Sequence, residues 1–120
     1  MRSAPTALAP ARAQWRLDAA PLRVTTDRLP GNVGLLSLAG YLNGHGGHQV
    51  AQAAGQLLQL GCPTILIDFR GTRLVNHRGL WPLVDLLQSS EPRVSFLNLS
   101  PTVERIFRIV GLLPSPERER

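Results

Sequence analysis

The chain has 120 residues, 43% of them hydrophobic, and a formal net charge of +5. This length suffices for one domain with a real core and is too short for two. No apolar run approaches the roughly 20 residues that span a bilayer, and the single cysteine, Cys62, excludes an intrachain disulfide and fits a reducing cytoplasm. The cations form no long run and are not interleaved with aromatic residues, so the charge does not predict nucleic-acid binding.

The first part of the chain predicts a leader followed by a β-hairpin. Residues 1–21 are rich in Ala, Pro and Arg and lack a signal-peptide core, so we expect a disordered or loosely attached leader. Leu22 to Thr26 alternates apolar and polar residues, as an edge strand does. Asp27 to Asn32 contains Pro-Gly and predicts a turn. Val33 to Leu38 predicts a second strand that pairs antiparallel with the first.

The middle of the chain predicts a helix, a strand and a second helix. Four glycines between Gly40 and Gly47 predict a flexible loop, and the apolar spacing after it predicts a helix from His48 to Leu60. Thr64 to Phe69 is a short apolar run that predicts a strand covered on both faces. The next apolar stripe has the i, i+3, i+4, i+7 spacing of a helix and consists of Leu80, Leu83, Val84 and Leu87.

The last part of the chain predicts one more strand and helix. Val94 to Leu99 is apolar, and Ser100 and Pro101 are typical of a helix start. Gly111 is the expected C-cap, and residues 114–120 are expected to fray. The order β-β-α-β-α-β-α predicts a single α/β domain over residues 22–113. Its expected architecture is a mixed four-stranded sheet with an antiparallel edge hairpin and helices packed on the sheet, since strand–helix–strand units are right-handed parallel crossovers.

The turn Asn76-His77-Arg78-Gly79, before the second helix, is the candidate binding site. A helix N-terminus presents free backbone N–H groups and a partial positive charge, to which His77 and Arg78 add. Trp81 lies off the apolar stripe, so we expect it to be exposed and to act as an interface anchor. Arg70 and Arg73 could extend the basic patch around Arg78.

Four segments of the sequence together resemble the STAS domain, the fold of bacterial anti-sigma factor antagonists. The resemblance covers about residues 22–113. Its motifs are Leu38-Ala39-Gly40-Tyr41-Leu42, Ile65-Leu66-Ile67-Asp68, Asn76-His77-Arg78-Gly79-Leu80, and Asn98-Leu99-Ser100-Pro101 through Val110-Gly111-Leu112. The resemblance implies a cytoplasmic, non-enzymatic module that binds a protein partner.

The turn departs from the pattern of the switching members of that family. Those members carry Asp-Ser-(Ser/Thr)-Gly there, and a partner kinase phosphorylates the first Ser. His77 stands at the phosphoacceptor position, which a serine kinase cannot use. Acidic residues are common in those members at the positions of Tyr41 and Asn43, so this surface has lost acids and gained bases. We therefore expect partner binding by Asn76 to Gly79, Trp81, Tyr41 and Asn43 without serine phosphorylation at the turn.

Other chemistry-bearing residues give weaker signals. Asp68 could be an acid in a pocket, but an Asp at a strand end more often bonds to the following turn. Thr72, the nearest upstream hydroxyl, could replace the missing phosphorylation site. His45 and His48 have no Cys, Asp or Glu nearby in sequence, so we expect no metal site. No catalytic constellation or phosphate-binding loop is present, so we expect no cofactor and no enzymatic activity.

Three functional hypotheses remain open from the sequence. The first is a regulatory binding module whose partner is an anti-sigma factor kinase or another STAS protein. The second is the cytoplasmic STAS subunit of an ABC lipid transporter, which the short C-terminus favours. The third is an anion- or nucleotide-binding domain that uses the positive turn. A homodimer is compatible with each of them.

Overall fold

The computed structural model describes residues 19–89 and 93–113, which form a four-stranded sheet and three α-helices. The strands are β1 Arg23–Leu29, β2 Val33–Ala39, β3 Thr64–Gly71 and β4 Arg93–Leu97. The α-helices are α1 Gly44–Gln59, α2 Trp81–Ser89 and α3 Pro101–Val110, and a 3-10 helix His77–Gly79 precedes α2. Each predicted element is present. None of these described helices is long and apolar enough to cross a membrane.

The sheet has the order β1-β2-β3-β4. β1 pairs antiparallel with β2, while β2–β3 and β3–β4 pair in parallel. This confirms the predicted mixed sheet with an edge hairpin. The hairpin turn is shorter than predicted, because β1 continues to Leu29 and the turn is limited to Pro30–Asn32. Gly31 and Asn32 both have positive φ there, 85° and 60°, which glycine and asparagine tolerate best.

One face of the sheet carries the core. In β2 and β3, fully buried residues alternate with partly exposed ones, and α1 and α3 cover the buried side. Gly34 lets α1 approach, since a Cβ there would lie 2.7 Å from Cδ1 of Leu57. Phe107 of α3 makes edge-to-face contacts with Phe69 and Phe96, with ring centroids 5.2 and 4.9 Å apart. The expectation that the third strand is covered on both faces is wrong for the described residues, because Thr64, Leu66 and Asp68 on its other face are partly exposed.

The glycine-rich segment is helical where a flexible loop was expected. α1 begins at Gly44, four residues before the predicted start at His48. Asn43 supplies the cap, since its side-chain oxygen accepts a hydrogen bond from the Gly46 N–H at 2.8 Å. Capping and packing outweigh the poor helix propensity of three glycines, which costs about 1 kcal/mol each relative to alanine.

The ends of the other elements agree with their capping residues. Ser100 accepts a hydrogen bond from the Val103 N–H at 3.3 Å, Pro101 occupies the first turn of α3, and Gly111 ends it at φ 88°. Both predictions of these caps are confirmed. At the start of the domain, the Ala20 carbonyl accepts a hydrogen bond from Tyr41, so residues assigned to the leader already contact the sheet. Residues 1–18 and the predicted fraying tail 114–120 lie outside the described residues.

Candidate partner-binding site

The candidate site is formed where β2 and β3 end. The segment after β2 and the segment after β3 are joined by backbone hydrogen bonds: the Leu42 N–H donates to the Leu74 carbonyl at 3.0 Å, and the Asn76 N–H donates to the Leu42 carbonyl at 2.8 Å. Parallel strands bring their carboxyl ends to the same edge of the sheet. The topology therefore places the loop with Tyr41 and Asn43 beside the turn that begins at Asn76.

Two asparagines fix the local backbone of this site. Asn43 caps α1, and Asn76 caps the 3-10 helix by accepting a hydrogen bond from the Arg78 N–H at 2.9 Å. The Asn76 side-chain amide also donates to the Tyr41 hydroxyl at 3.3 Å. Each asparagine satisfies a backbone donor that the helix start would otherwise leave unpaired.

Two glycines allow α1 and the turn to touch. A Cβ on Gly47 would lie 2.2 Å from the Gly79 carbonyl oxygen, and a Cβ on Gly79 would lie 2.6 Å from the Asn43 carbonyl oxygen. Both glycines are buried. The sequence pattern identified Gly79 as part of the site but assigned Gly47 to a loop. Only the fold shows that Gly47, which has no side chain, allows the backbone of the turn to pack against α1.

The single helix start predicted after the turn consists of two elements, a 3-10 turn and then an α-helix. Residues His77–Gly79 form a 3-10 turn, and the α-helix itself begins at Trp81. Pro82 is the second residue of α2, in the first turn, where its missing N–H breaks no intrahelical bond. Leu80 and Leu83 are fully buried as the stripe predicted, whereas the side chain of Leu87 lies outside the described residues.

The accessible part of the site is basic and apolar. His77 and Arg78 are exposed, Trp81 is 51% exposed and Leu74 is 38% exposed. The predicted exposure of Trp81 is thus confirmed. The sequence contains no acid between Asp27 and Asp68, or between Asp68 and Asp85, so the loop and the turn carry no negative side chain. Arg70 and Arg73 are also exposed, at the end of β3 and just after it.

The other predicted candidates lie apart from this surface or are inaccessible. Asp68 accepts hydrogen bonds from the Arg70 N–H and from the Asn98 side chain, each at 2.9 Å. The predicted bond to the turn after its strand is wrong in its partners, because β3 continues to Gly71 and Asn98 follows β4. Thr72 is fully buried, and a kinase cannot reach it in this fold. The idea that it replaces the phosphorylation site is therefore wrong for the folded protein.

The described residues include no group of three His, Cys, Asp or Glu side chains placed to hold a metal. His45 and His48 are both exposed in the first turns of α1.

A shallow groove of about 360 Å³ lies between β1 and α1 and is lined by Val24, Thr26, Gln49, Gln52, Ala53 and Gln56. None of the predicted site residues lines that groove.

These elements define a STAS-type fold, the fold of anti-sigma factor antagonists. An anti-sigma factor antagonist from Mycobacterium paratuberculosis is similar to the chain with a TM-score of 0.66 at 19% identity, covering 83% of this chain and 93% of that one. The anti-sigma factor antagonist SpoIIAA in its unphosphorylated form has a TM-score of 0.63 at 22% identity and covers 81% and 92%.

A third similar structure is the Bacillus cell fate determinant SpoIIAA in the phosphorylated form. Its TM-score is 0.59 at 20% identity, covering 81% of this chain and 96% of that one. No protein-family model and no curated protein matches the sequence. At these identities the likeness defines the fold, and the predicted fold class is confirmed.

Proposed function

We propose that this protein is a non-enzymatic binding module that docks a regulatory protein partner. The docking surface consists of Asn76, His77, Arg78, Trp81, Tyr41 and Asn43. Gly79, which the sequence also predicted to bind the partner, is buried and instead supports this surface by packing against Asn43. The partner is an anti-sigma factor kinase or another STAS protein, and the complex forms in the cytoplasm. The shared fold with anti-sigma factor antagonists supports the class of function.

The observation that carries the proposal is the junction between the loop and the turn. The Tyr41–Asn76 hydrogen bond and the close approach of Gly79 to Asn43 join two segments, 35 residues apart in sequence, into one surface. Arg78 offers a planar group that forms paired hydrogen bonds with carboxylates, and the exposed Trp81 offers a large apolar contact. Trp and Arg are enriched among residues that dominate interface energies.

Binding at this surface does not depend on serine phosphorylation at the turn. Phosphorylation would add about −1.5 to −2 charges, whereas His77 at that position cannot become a phosphoserine. Serine phosphorylation therefore cannot change the charge that position 77 presents to the partner. Phosphate mapped to residues 76–79 after incubation with a cognate kinase would contradict this part of the proposal.

The test is affinity capture from a lysate of the native host with three baits. These are the wild type, a turn variant with Arg78→Asp and Trp81→Ala, and a control with Arg105→Asp and Ile109→Ala. The control changes the same residue classes on α3, where Arg105 and Ile109 are exposed and Ile109 is 76% accessible. Circular dichroism verifies that all three baits are folded.

We expect an anti-sigma factor kinase or a STAS protein, identified by mass spectrometry, on the wild-type and control baits. The turn variant should capture at least tenfold less, since loss of a single anchor residue typically costs 2 kcal/mol or more and 1.4 kcal/mol is a factor of ten. An ABC ATPase or permease among the captured proteins would favour the transporter hypothesis. Equal capture by all three baits would show that the turn is not the docking surface.

A further inference from the structure

The sheet face opposite α1 and α3 is uncovered within the described residues. The side chains that alternate with the buried core positions of β2 and β3 are partly exposed. The apolar residues among them do not belong to the packed core. A partly exposed apolar sheet face that no described helix covers is a candidate interaction surface, and this one is separate from the turn surface.

The strand register shows what this face contains, and we call it the open sheet face. Its first row is Leu29, Val33, Thr64 and Arg93; its second is Asp27, Leu35, Leu66 and Ser95; its third is Thr25, Ser37, Asp68 and Leu97. Directly paired residues point to the same side of a sheet. Leu35 and Leu66 are neighbours at the centre. Val33 and Leu29 continue the apolar surface toward one end of the strands, and the other side chains next to the pair are polar or charged.

Two opposite charges occupy opposite edges of the open sheet face. Asp27 lies on edge strand β1 and Arg93 lies on edge strand β4, one row apart. Both are exposed, and among the described residues neither side chain forms an ion pair. The Asp27 carboxylate accepts a hydrogen bond from the backbone of Arg28 and has no cationic partner there. A surface with this arrangement is complementary to itself.

We propose that the open sheet face binds the same face of a second copy of this chain. A two-fold axis parallel to the strands places β1 of one copy over β4 of the other. Each row of one copy then lies opposite the same row of the second copy. Leu35 of each copy then lies over Leu66 of the second copy. Asp27 lies over Ser95 of the second copy, with its Arg93 about 7 Å further along the strand, and an arginine side chain spans that distance.

The open sheet face is small for a protein–protein interface. Four strands spaced about 4.8 Å apart and six residues along each strand give a face of about 19 by 20 Å. Two such faces bury roughly 800 Å², below the 1,200–2,000 Å² of standard stable complexes. An interface of this size is typical of weak and transient complexes, so we expect a weak dimer that exchanges rapidly with monomer.

Sedimentation equilibrium of the full chain between 10 µM and 1 mM tests this proposal. We expect a monomer–dimer equilibrium that Leu35→Glu weakens at least tenfold. The control Ile109→Glu, at a position on the exposed side of α3, should leave it unchanged. Because Leu35 lies on a central strand, a second set of variants on the edge strands makes the test independent of folding. Asp27→Arg and Arg93→Asp each weaken the dimer, and the two together restore it.

Each contrary result overturns the proposal. A monomer at all concentrations means that the face is free or that residues 1–18 or another protein cover it. A dimer that resists Leu35→Glu uses a different surface, and failure of the paired charge variant to recover excludes this arrangement. Arg78→Asp and Trp81→Ala should leave self-association unchanged. The dimer proposal and the docking proposal at the turn are therefore tested independently.

Discussion

Replacing Gly47 with alanine should destabilise the protein by pushing the 3-10 turn away from α1. The added Cβ would lie 2.2 Å from the Gly79 carbonyl oxygen, 2.8 Å from its carbonyl carbon and 3.0 Å from its Cα. Real Cβ atoms essentially never come within 3.0 Å of a heavy atom outside their own and adjacent residues, so the gap must open by about 0.8 Å. The obstructing atoms belong to the backbone and cannot move out of the way by changing a rotamer.

The size of this effect is the difference between two opposing terms. Overpacking typically costs 1–3 kcal/mol, and a clash with backbone belongs at the upper end, about 3 kcal/mol. Alanine in a helix is more favourable than glycine by about 1 kcal/mol. The expected net loss is therefore about 2 kcal/mol, which corresponds to a fall in melting temperature of roughly 8–16 °C for a domain of this size.

Gly55→Ala is the matched control for this measurement. Gly55 lies in the same helix, and a Cβ there would meet nothing within 4 Å. Urea or thermal unfolding should show Gly55→Ala stabilised by about 0.5–1 kcal/mol through helix propensity alone. If Gly47→Ala is stabilised like Gly55→Ala, α1 and the turn are not in contact, and the argument that joins them into one surface is wrong.

Two further changes test the core. Phe107→Ala removes the ring that contacts Phe69 and Phe96 and should cost about 3–5 kcal/mol in the free energy of unfolding; Ile109→Ala, on the exposed side of the same helix, should change it by less than about 0.5 kcal/mol. Equal losses by denaturant unfolding would show that α3 does not pack through Phe107. Thr72→Val should be neutral or stabilising by about 1 kcal/mol, because the buried hydroxyl has no hydrogen-bond partner among the described residues. A clear loss of stability in the same assay would reveal a partner for that hydroxyl.

The two proposed surfaces of the protein differ in how they are built. The turn surface is held by backbone packing and side-chain caps, and it concentrates Arg78 and Trp81 on a rigid junction. The proposed contact on the open sheet face centres instead on Leu35 and Leu66, which are paired on neighbouring strands. The proposed partner contact at the turn and the proposed contact between copies use different residues, so both can form on one molecule.

Hydrophobic periodicity and the turn and capping residues in the sequence determined the fold, because each helix and strand carries its own local signal. Ser100, Pro101 and Gly111 mark the ends of α3 through interactions that reach only a few residues. The parallel β2–β3 and β3–β4 pairs followed from the handedness of crossover connections. The predicted site residues were chosen from these local signals and from the resemblance to anti-sigma factor antagonists.

Tertiary structure alone decided which backbone segments touch and which faces are covered. The helical start of α1 at Gly44 depends on the Asn43 cap and on packing against Gly79, contacts that glycine propensity cannot reveal. The short apolar run from Thr64 to Phe69 predicted a strand covered on both faces, but whether helices lie on one face or both is settled by crossings between distant parts of the chain. The sequence by itself therefore determined the elements and the candidate turn, and the packing of distant segments determined the junction at Gly47 and the open sheet face.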